Sequence, residues 1–215
     1  VSPRNQVPAL AIPPSPRRRP VGLLLCLLTC SAFLACRSRP SGALPASTVV
    51  DSVIPRDVAL ARFRQGLQEP SGLADGARTR DSLFRLALRA LTAQDTALIR
   101  RLTLSQAEFA WYYYPSNPQA YPPYDLDPQM MWFLLLGNSE NGLRTALHAY
   151  GGRPLQYRDG RCEGDSSVQG DNVLWGPCWL GYGDRDGAGG EERLLKVIIR
   201  RGGTYKVVSW ANKLD

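Results

Sequence analysis

Histidine is almost absent from this chain, since His148 is the only one among 215 residues. Any histidine-dependent chemistry must therefore use that residue. Cysteine is also sparse, and none of the five cysteines stands in the paired C-x-x-C spacing that is typical of zinc sites. The sequence thus predicts no metal site and no cofactor.

A long hydrophobic run is missing as well. The most apolar stretch, from Val21 to Ala35, has 15 residues, whereas a helix that crosses the hydrocarbon core of a membrane needs about 20. Arg17, Arg18 and Arg19 precede this stretch, and small residues and Cys36 end it. A basic start, an apolar middle and a cleavage zone are the order of a secretory signal peptide.

The four residues Phe33, Leu34, Ala35 and Cys36 resemble the bacterial lipobox, in which a signal peptidase cuts before a lipid-modified cysteine. A lipobox usually has leucine where Phe33 stands and a small residue where Leu34 stands, so plain cleavage and an uncleaved anchor remain alternatives. The resemblance implies a lipoprotein of the cell envelope, anchored to a membrane through Cys36 and facing the periplasm or the exterior.

Three segments follow from this interpretation. Residues 1–36 are a leader and signal peptide, residues 37–56 are a flexible tether rich in proline, serine and small residues, and residues 57–215 are a single domain.

A large excess of positive charge is absent from the domain, although the whole chain has a formal charge of +7. Four arginines and no acidic residue precede position 37, which leaves 22 basic against 19 acidic residues for the remainder. Phosphate-backbone binders carry clustered basic residues. The mixed charges therefore predict no nucleic-acid partner.

The first two thirds of the domain have helical spacing. We expect one short helix between Val49 and Gly72 and an amphipathic helix capped by Asp81. Further helices are expected at Thr96–Leu102, from Gln106 to before Pro115 after a Ser105/Glu108 capping box, and from Asp127-Pro128 to a break at Gly137-Asn138, with another helix after it.

Beyond Gly152 the apolar residues alternate or form short runs between glycine and aspartate turns, which predicts an antiparallel meander of three to four strands. Helices followed by a meander indicate an α+β domain, in which several helices pack on one face of a curved sheet. Cys162 and Cys178 lie at the edges of two neighbouring predicted strands, so we expect a cross-strand disulfide. A metal site is the rival interpretation of this pair.

The order of these elements, from DSLFRLALRALTAQDTALIRRL through an aromatic helix to strands ending in YKVVSWANKL, is similar to the cone-shaped domains of the nuclear transport factor 2-like superfamily. The resemblance covers about residues 79–214 and implies a pocket between helices and a strongly bent sheet. The proline- and tyrosine-rich stretch between Pro115 and Pro128 departs from it. Because the superfamily includes isomerases, dehydratases and noncatalytic binding domains, it selects no function by itself.

Candidate catalytic residues are few. Glu108, beside Trp111 and Tyr112, would suit a buried general acid or base, but a capping-box glutamate is ordinarily exposed and structural. His148 falls near a predicted helix end, where a surface position is expected. An enzyme of the cone type would use His148 with Asp95 or Glu108, and it requires these side chains to converge in a cavity.

Aromatic rings are the remaining signal. Trp111, Tyr112, Tyr124 and Trp132 stand in two predicted helices and the proline-rich loop between them, where they either fill the core or line an apolar pocket. The sequence therefore predicts a noncatalytic module that binds a small apolar ligand or an envelope protein through these residues.

Overall fold

The computed structural model describes residues 54–184 and 186–214, within a compact unit that spans Asp51–Asp215. The predicted signal peptide, Cys36 and nearly all of the predicted tether lie outside these residues. The helices are α1 (Arg56–Phe63), α2 (Arg80–Thr92), α3 (Thr96–Leu102), α4 (Gln106–Glu108) and α5 (Pro128–Tyr150). The strands are β1 (Gln156–Cys162), β2 (Ser167–Gln169), β3 (Asn172–Trp175), β4 (Cys178–Gly183), β5 (Gly189–Arg201) and β6 (Thr204–Trp210). The α+β class is therefore confirmed, with an antiparallel sheet.

Capping residues fix most of the helix starts. Asp127 caps α5 by accepting backbone amide hydrogens, as its sequence context predicts, and Asp95 caps α3 by accepting from the Leu98 amide. Helix α2 instead begins after Thr79, whose hydroxyl accepts from the Ser82 amide while the Ser82 hydroxyl accepts from the Thr79 amide. The predicted cap, Asp81, lies two residues further on, in the first turn of the helix.

Helix α5 is continuous over 23 residues, so the predicted break at Gly137-Asn138 is wrong. Gly142, one turn beyond the predicted break, has no room for a side chain, because a Cβ there would lie 2.2 Å from the carbonyl oxygen of Ala211. The missing side chain allows α5 to pack closely on the segment after β6.

The predicted helix from Gln106 loses its regular form after one turn. Residues Phe109–Tyr113 form a π-helix and Tyr114–Ser116 a 3₁₀ turn. The wider π turn changes which side chains face inward. Phe109, Tyr113 and Tyr114 are buried, whereas the two rings between them remain partly exposed.

Strand β5 is the centre of the sheet. Its first half pairs with β4 and its second half with β3, while β6 pairs with residues Leu195–Arg201. The strand order is β1-β4-β5-β3-β2, with β6 paired to β5. The run NVLWGPCWLGYG contributes two strands because Gly176-Pro177 interrupts it, and β2 is a further short strand, so the sheet has six strands where three to four were predicted.

Both faces of this sheet are covered. Ile198 and Ile199 are neighbours in β5, yet they belong to different apolar clusters, as do Val207 and Val208 in β6. Adjacent side chains in a strand point to opposite faces. One cluster packs α2, α3 and the end of α5 on the sheet, and the other packs α1, the π-helix and Met131 on it. Within the described residues, no helix is long and apolar enough to cross a membrane.

The predicted disulfide between Cys162 and Cys178 is confirmed, and it joins two residues that face each other across β1 and β4. Cys178 is fully buried. The bond closes a loop that includes all of β2 and β3. It therefore constrains a segment whose neighbour in the rest of the sheet is β5 alone.

We predict that replacing both cysteines by serine lowers the free energy of unfolding by about 3 kcal/mol, because the loop of about 15 residues gains entropy in the unfolded chain. Urea unfolding of the double variant and of the oxidised protein measures this difference. An unchanged unfolding midpoint would contradict the prediction, and reduced wild-type protein should match the double variant.

An exposed polar cluster ties α2 to β1. The Tyr157 hydroxyl donates to Oδ1 of Asp81 at 2.7 Å, and the Arg85 guanidinium donates to Oδ2 at 3.0 Å. These two hydrogen bonds, with that of Tyr157 the larger cause, hold the pKa of Asp81 below its usual value. Because the folded-state pKa is the lower one, the stabilisation is present above the unfolded pKa and is lost as the pH falls through the folded value.

We predict that Tyr157→Phe raises the pKa of Asp81 toward its ordinary value, since the larger of the two hydrogen bonds is removed. A carboxyl-carbon NMR titration of the variant and the wild type measures the shift. The Arg85→Gln variant is the matched control and should raise the pKa less. Equal pKa values in wild type and Tyr157→Phe would show that the tyrosine bond has no such effect.

Candidate ligand-binding groove

A groove lies between α3 and α4 on one side and α5 on the other, with Trp210 of β6 at its base. Its volume is about 480 Å³, within the range of about 300 to 1,000 Å³ that small-molecule sites have. The apolar lining consists of Ile99, Leu104, Trp132, Leu136, Leu143 and Trp210. Arg100, Gln106 and Glu140 also line the groove. The groove is thus mostly apolar, with a few polar groups.

Trp210 is held from two sides. Its indole nitrogen donates to the Thr103 hydroxyl at 3.2 Å, and its backbone amide donates to the Ser139 hydroxyl at 3.1 Å. The residue is 1% exposed, so both donors would be unsatisfied without these partners. The two hydroxyls therefore connect the last strand to α3 and α5, and they fix the base of the groove.

Trp132 is the one predicted ligand-binding residue that lines the groove. It lies in the second turn of α5, and its ring packs on Phe109 with 5.1 Å between centroids. One part of the indole therefore contacts the core while another part faces the groove. The aromatic signal in the sequence gave two alternatives for this residue, core and pocket lining, and the structure shows both.

The other three predicted ligand-binding residues lie elsewhere. The Arg64 guanidinium stacks 4.8 Å from the Trp111 ring, and the Arg201 guanidinium stacks 4.6 Å from the Tyr112 ring. Tyr112 also donates its hydroxyl hydrogen to the Pro70 carbonyl. Tyr124 lies in the proline-rich loop and is 67% exposed.

The three candidate catalytic residues are not brought together in this groove. Asp95 accepts from the Leu98 amide as the cap of α3, and His148 is exposed in the last turn of α5. Glu108 is buried on a different side of α4, as described next. This placement does not favour the enzyme interpretation, which requires His148 to converge with Asp95 or Glu108.

Glu108 and Lys206 form a buried ion pair that the sequence did not reveal. The ammonium of Lys206 lies 3.0 and 2.8 Å from the two carboxylate oxygens, and the two side chains are 4% and 3% exposed. The same carboxylate accepts from the amides of Ala74 and Ser105 at 2.8 and 2.7 Å. The capping box is confirmed, but the expected exposure of Glu108 is wrong, because a strand cation faces it across the interior.

A second buried polar contact joins the end of α5 to strand β5. The Tyr150 hydroxyl donates to Glu192 at 2.7 Å, and both residues are buried. Burial, followed by the hydrogen bond to Glu192, raises the pKa of Tyr150 far above its ordinary value. This tyrosine therefore stays protonated and acts as a donor. Sequence reasoning missed the pair because Glu192 stands in a glycine-rich turn region, where a charged residue is ordinarily exposed.

No group of three or more histidine, cysteine, aspartate or glutamate side chains among residues 54–184 and 186–214 is placed to hold a metal ion. Comparison with known proteins gives no further assignment: no family model, no curated protein and no solved structure matches this chain. The candidate site therefore rests on the geometry of the groove alone.

We predict that Glu108→Gln lowers the free energy of unfolding by about 3 to 5 kcal/mol, since it leaves the Lys206 charge buried without its partner. Chemical unfolding measures the loss. Glu191→Gln is the control, because its pair with Arg161 is exposed and such pairs contribute less than about 1 kcal/mol.

The double variant Glu108→Gln/Lys206→Met separates the ion pair from general damage to the interior. It should recover part of the lost stability, because no unpaired charge remains. Equal losses in Glu108→Gln and Glu191→Gln would contradict the structural role of the buried pair.

Proposed function

We propose that this domain is a noncatalytic binding module that holds a small apolar ligand in the groove between α3 and α5, and that a lipid on Cys36 tethers it to a membrane of the cell envelope. The observation that carries the proposal is the groove itself: an apolar lining with two tryptophans, and a volume of about 480 Å³. A mostly apolar cavity with few polar groups is the usual form of a small-ligand site.

The polar atoms of the lining support an apolar ligand. The hydroxyls of Thr103 and Ser139 accept from Trp210, and that of Ser105 accepts from the Glu108 amide. These three groups are therefore engaged within the protein. Specific recognition of a polar ligand would depend on the other polar side chains of the lining, which are Thr96, Arg100, Gln106 and Glu140.

Membership of the nuclear transport factor 2-like superfamily is part of the proposal. Its support is the element order, with helices before an antiparallel sheet, and the irregular register of β5 and β6 between Leu195 and Ile198. Register irregularities of this kind increase the twist and bend of a sheet, as a cone-shaped domain requires. The lipoprotein assignment rests on the sequence of residues 17–36 alone.

We predict that Trp132→Ala and Leu136→Glu each weaken binding of the neutral apolar dye N-phenyl-1-naphthylamine at least about tenfold, because one removes a wall of the groove and the other places a charge in it. Fluorescence titration of the full-length protein gives the dissociation constants. Trp179→Ala is the control, since Trp179 lies on β4 between Arg161 and Arg193, away from the groove.

Near-ultraviolet circular dichroism establishes that each variant remains folded. Leu136 is 39% exposed, so its substitution tests the groove without opening the core. Unchanged dye affinity in both groove variants would contradict the proposed site. Native mass spectrometry of the purified full-length protein would then identify any molecule that it retains from the cell.

A further inference from the structure

Exposed large apolar side chains are concentrated in three segments. Among the described residues, nine large hydrophobic side chains are exposed, and eight of them belong to the start of α1, the proline-rich loop and the first half of α5. They are Ile54 (47%), Val58 (43%), Tyr121 (39%), Tyr124 (67%), Met130 (50%), Phe133 (67%), Leu134 (45%) and Leu136 (39%). The ninth, Val168 (71%), is in β2.

The three segments are neighbours in space. Ile54 and Ala59 of the α1 region, Asp125 of the loop and Pro128 of α5 line one shared cavity. The Arg56 guanidinium stacks 4.4 Å from the Tyr121 ring, which joins α1 directly to the loop. The exposed side chains of these three adjacent segments are here called the apolar end.

The first half of α5 is the most prominent part of the apolar end. Residues 129–139 include no charged side chain, and Met130, Phe133 and Leu134 have the spacing i, i+3, i+4 that places them on one side of a helix. Large exposed apolar patches are unusual on monomeric proteins, and they mark sites that bind a protein, a membrane or a ligand.

The position of the apolar end in the chain indicates what covers it. The described domain begins at Ile54, which lies at this end and only 18 residues after Cys36. A fully extended chain of that length spans at most about 60 Å. A lipid on Cys36 would therefore hold the apolar end within about 60 Å of the membrane surface, which is near enough for contact.

We propose that the apolar end docks on the lipid bilayer, with Met130, Phe133 and Leu134 among the upper acyl chains and Tyr121 and Tyr124 at the level of the headgroups. Tyrosine is enriched at that level because its ring is amphipathic, and apolar helix faces lie at the boundary between headgroups and acyl chains. This inference rests on the membrane tether of the proposed function.

The charges at the apolar end specify the kind of lipid. Asp57, Asp125 and Asp127 are exposed there, and Arg56 already pairs with Asp57 at 2.9 Å. A basic cluster, which anionic membranes attract, is not formed by these residues. The docking surface thus fits neutral and zwitterionic lipids, and its contact with the bilayer is hydrophobic.

The test uses the full-length protein in phosphatidylcholine and phosphatidylethanolamine vesicles that contain a phospholipid with a photoactivatable group on its acyl chain. Mass spectrometry of digested protein then locates the labelled residues. We expect labelling of residues 121–136 to exceed that of the β2 segment around Val168 at least about fivefold, because only the former reaches the acyl chains. Equal labelling of the two segments, or none at the apolar end, would overturn the proposal.

Two matched variants sharpen the comparison. The double variant Phe133→Ser/Leu134→Ser removes two exposed apolar side chains from α5, and Val168→Ser removes one from β2. We expect the former to reduce labelling of residues 121–136 at least about fivefold and the latter to leave it unchanged. Near-ultraviolet circular dichroism verifies that both stay folded.

A second copy of the chain is the competing occupant of the apolar end. A dimer in solution that the Phe133→Ser/Leu134→Ser variant dissociates, measured by light scattering, with no lipid label at residues 121–136, would show that occupant and overturn the bilayer proposal. The proposed function is tested separately. Intact mass reports the lipid on Cys36, and dye binding reports the groove, so the loss of either is distinguishable from a failure of docking.

Discussion

The buried ion pair between Glu108 and Lys206 is the constraint on which the helical half of the domain depends. A carboxylate and an ammonium that are 3% and 4% exposed are stable only with partners, and the Glu108 carboxylate accepts four hydrogen bonds, from Lys206 twice and from the amides of Ala74 and Ser105. These contacts attach the loop before α2, the start of α4 and strand β6 to one point. The residues that follow Glu108 form the π-helix, and those that precede it line the groove. The ion pair therefore fixes the position of the π-helix and of the groove residues that precede Glu108.

Helix α5 contributes side chains to two surfaces, because neighbouring residues of a helix point in different directions around its axis. Trp132 and Leu136, four residues apart, line the groove, while Phe133 and Leu134 between them face outward. The second half of the same helix packs on the sheet, where Gly142 allows close approach to Ala211. The long helix is thus anchored in the core at one end and presents its apolar residues at the other. A ligand in the groove and a bilayer at the apolar end would contact neighbouring turns of one rigid element.

Local signals predicted much of the fold. The cap Asp127 and the Ser105/Glu108 box placed two helix starts, and the alternation after Gly152 predicted the sheet and the Cys162–Cys178 pair. Errors arose where contacts distant in sequence decide the outcome. The burial of Glu108, for example, depends on Lys206, 98 residues away. Of the predicted ligand-binding residues only Trp132 lines the groove. The spacing of aromatic residues in the sequence does not show that a π-helix directs the rings of Trp111 and Tyr112 elsewhere. An inward-facing lysine in an apolar strand was the available signal for a buried carboxylate partner.

The scarcity of lysine gives the ion pair a practical consequence. Arginine provides 23 of the 26 basic residues, and the three lysines are Lys196, Lys206 and Lys213. Two of them are exposed, whereas the side chain of Lys206 is 4% exposed. Acylating reagents that modify primary amines reach an amine only when solvent does, so Lys206 becomes reactive only when β6 separates from α4. The rate at which the Lys206 amine is acylated would therefore report how often this part of the interior opens.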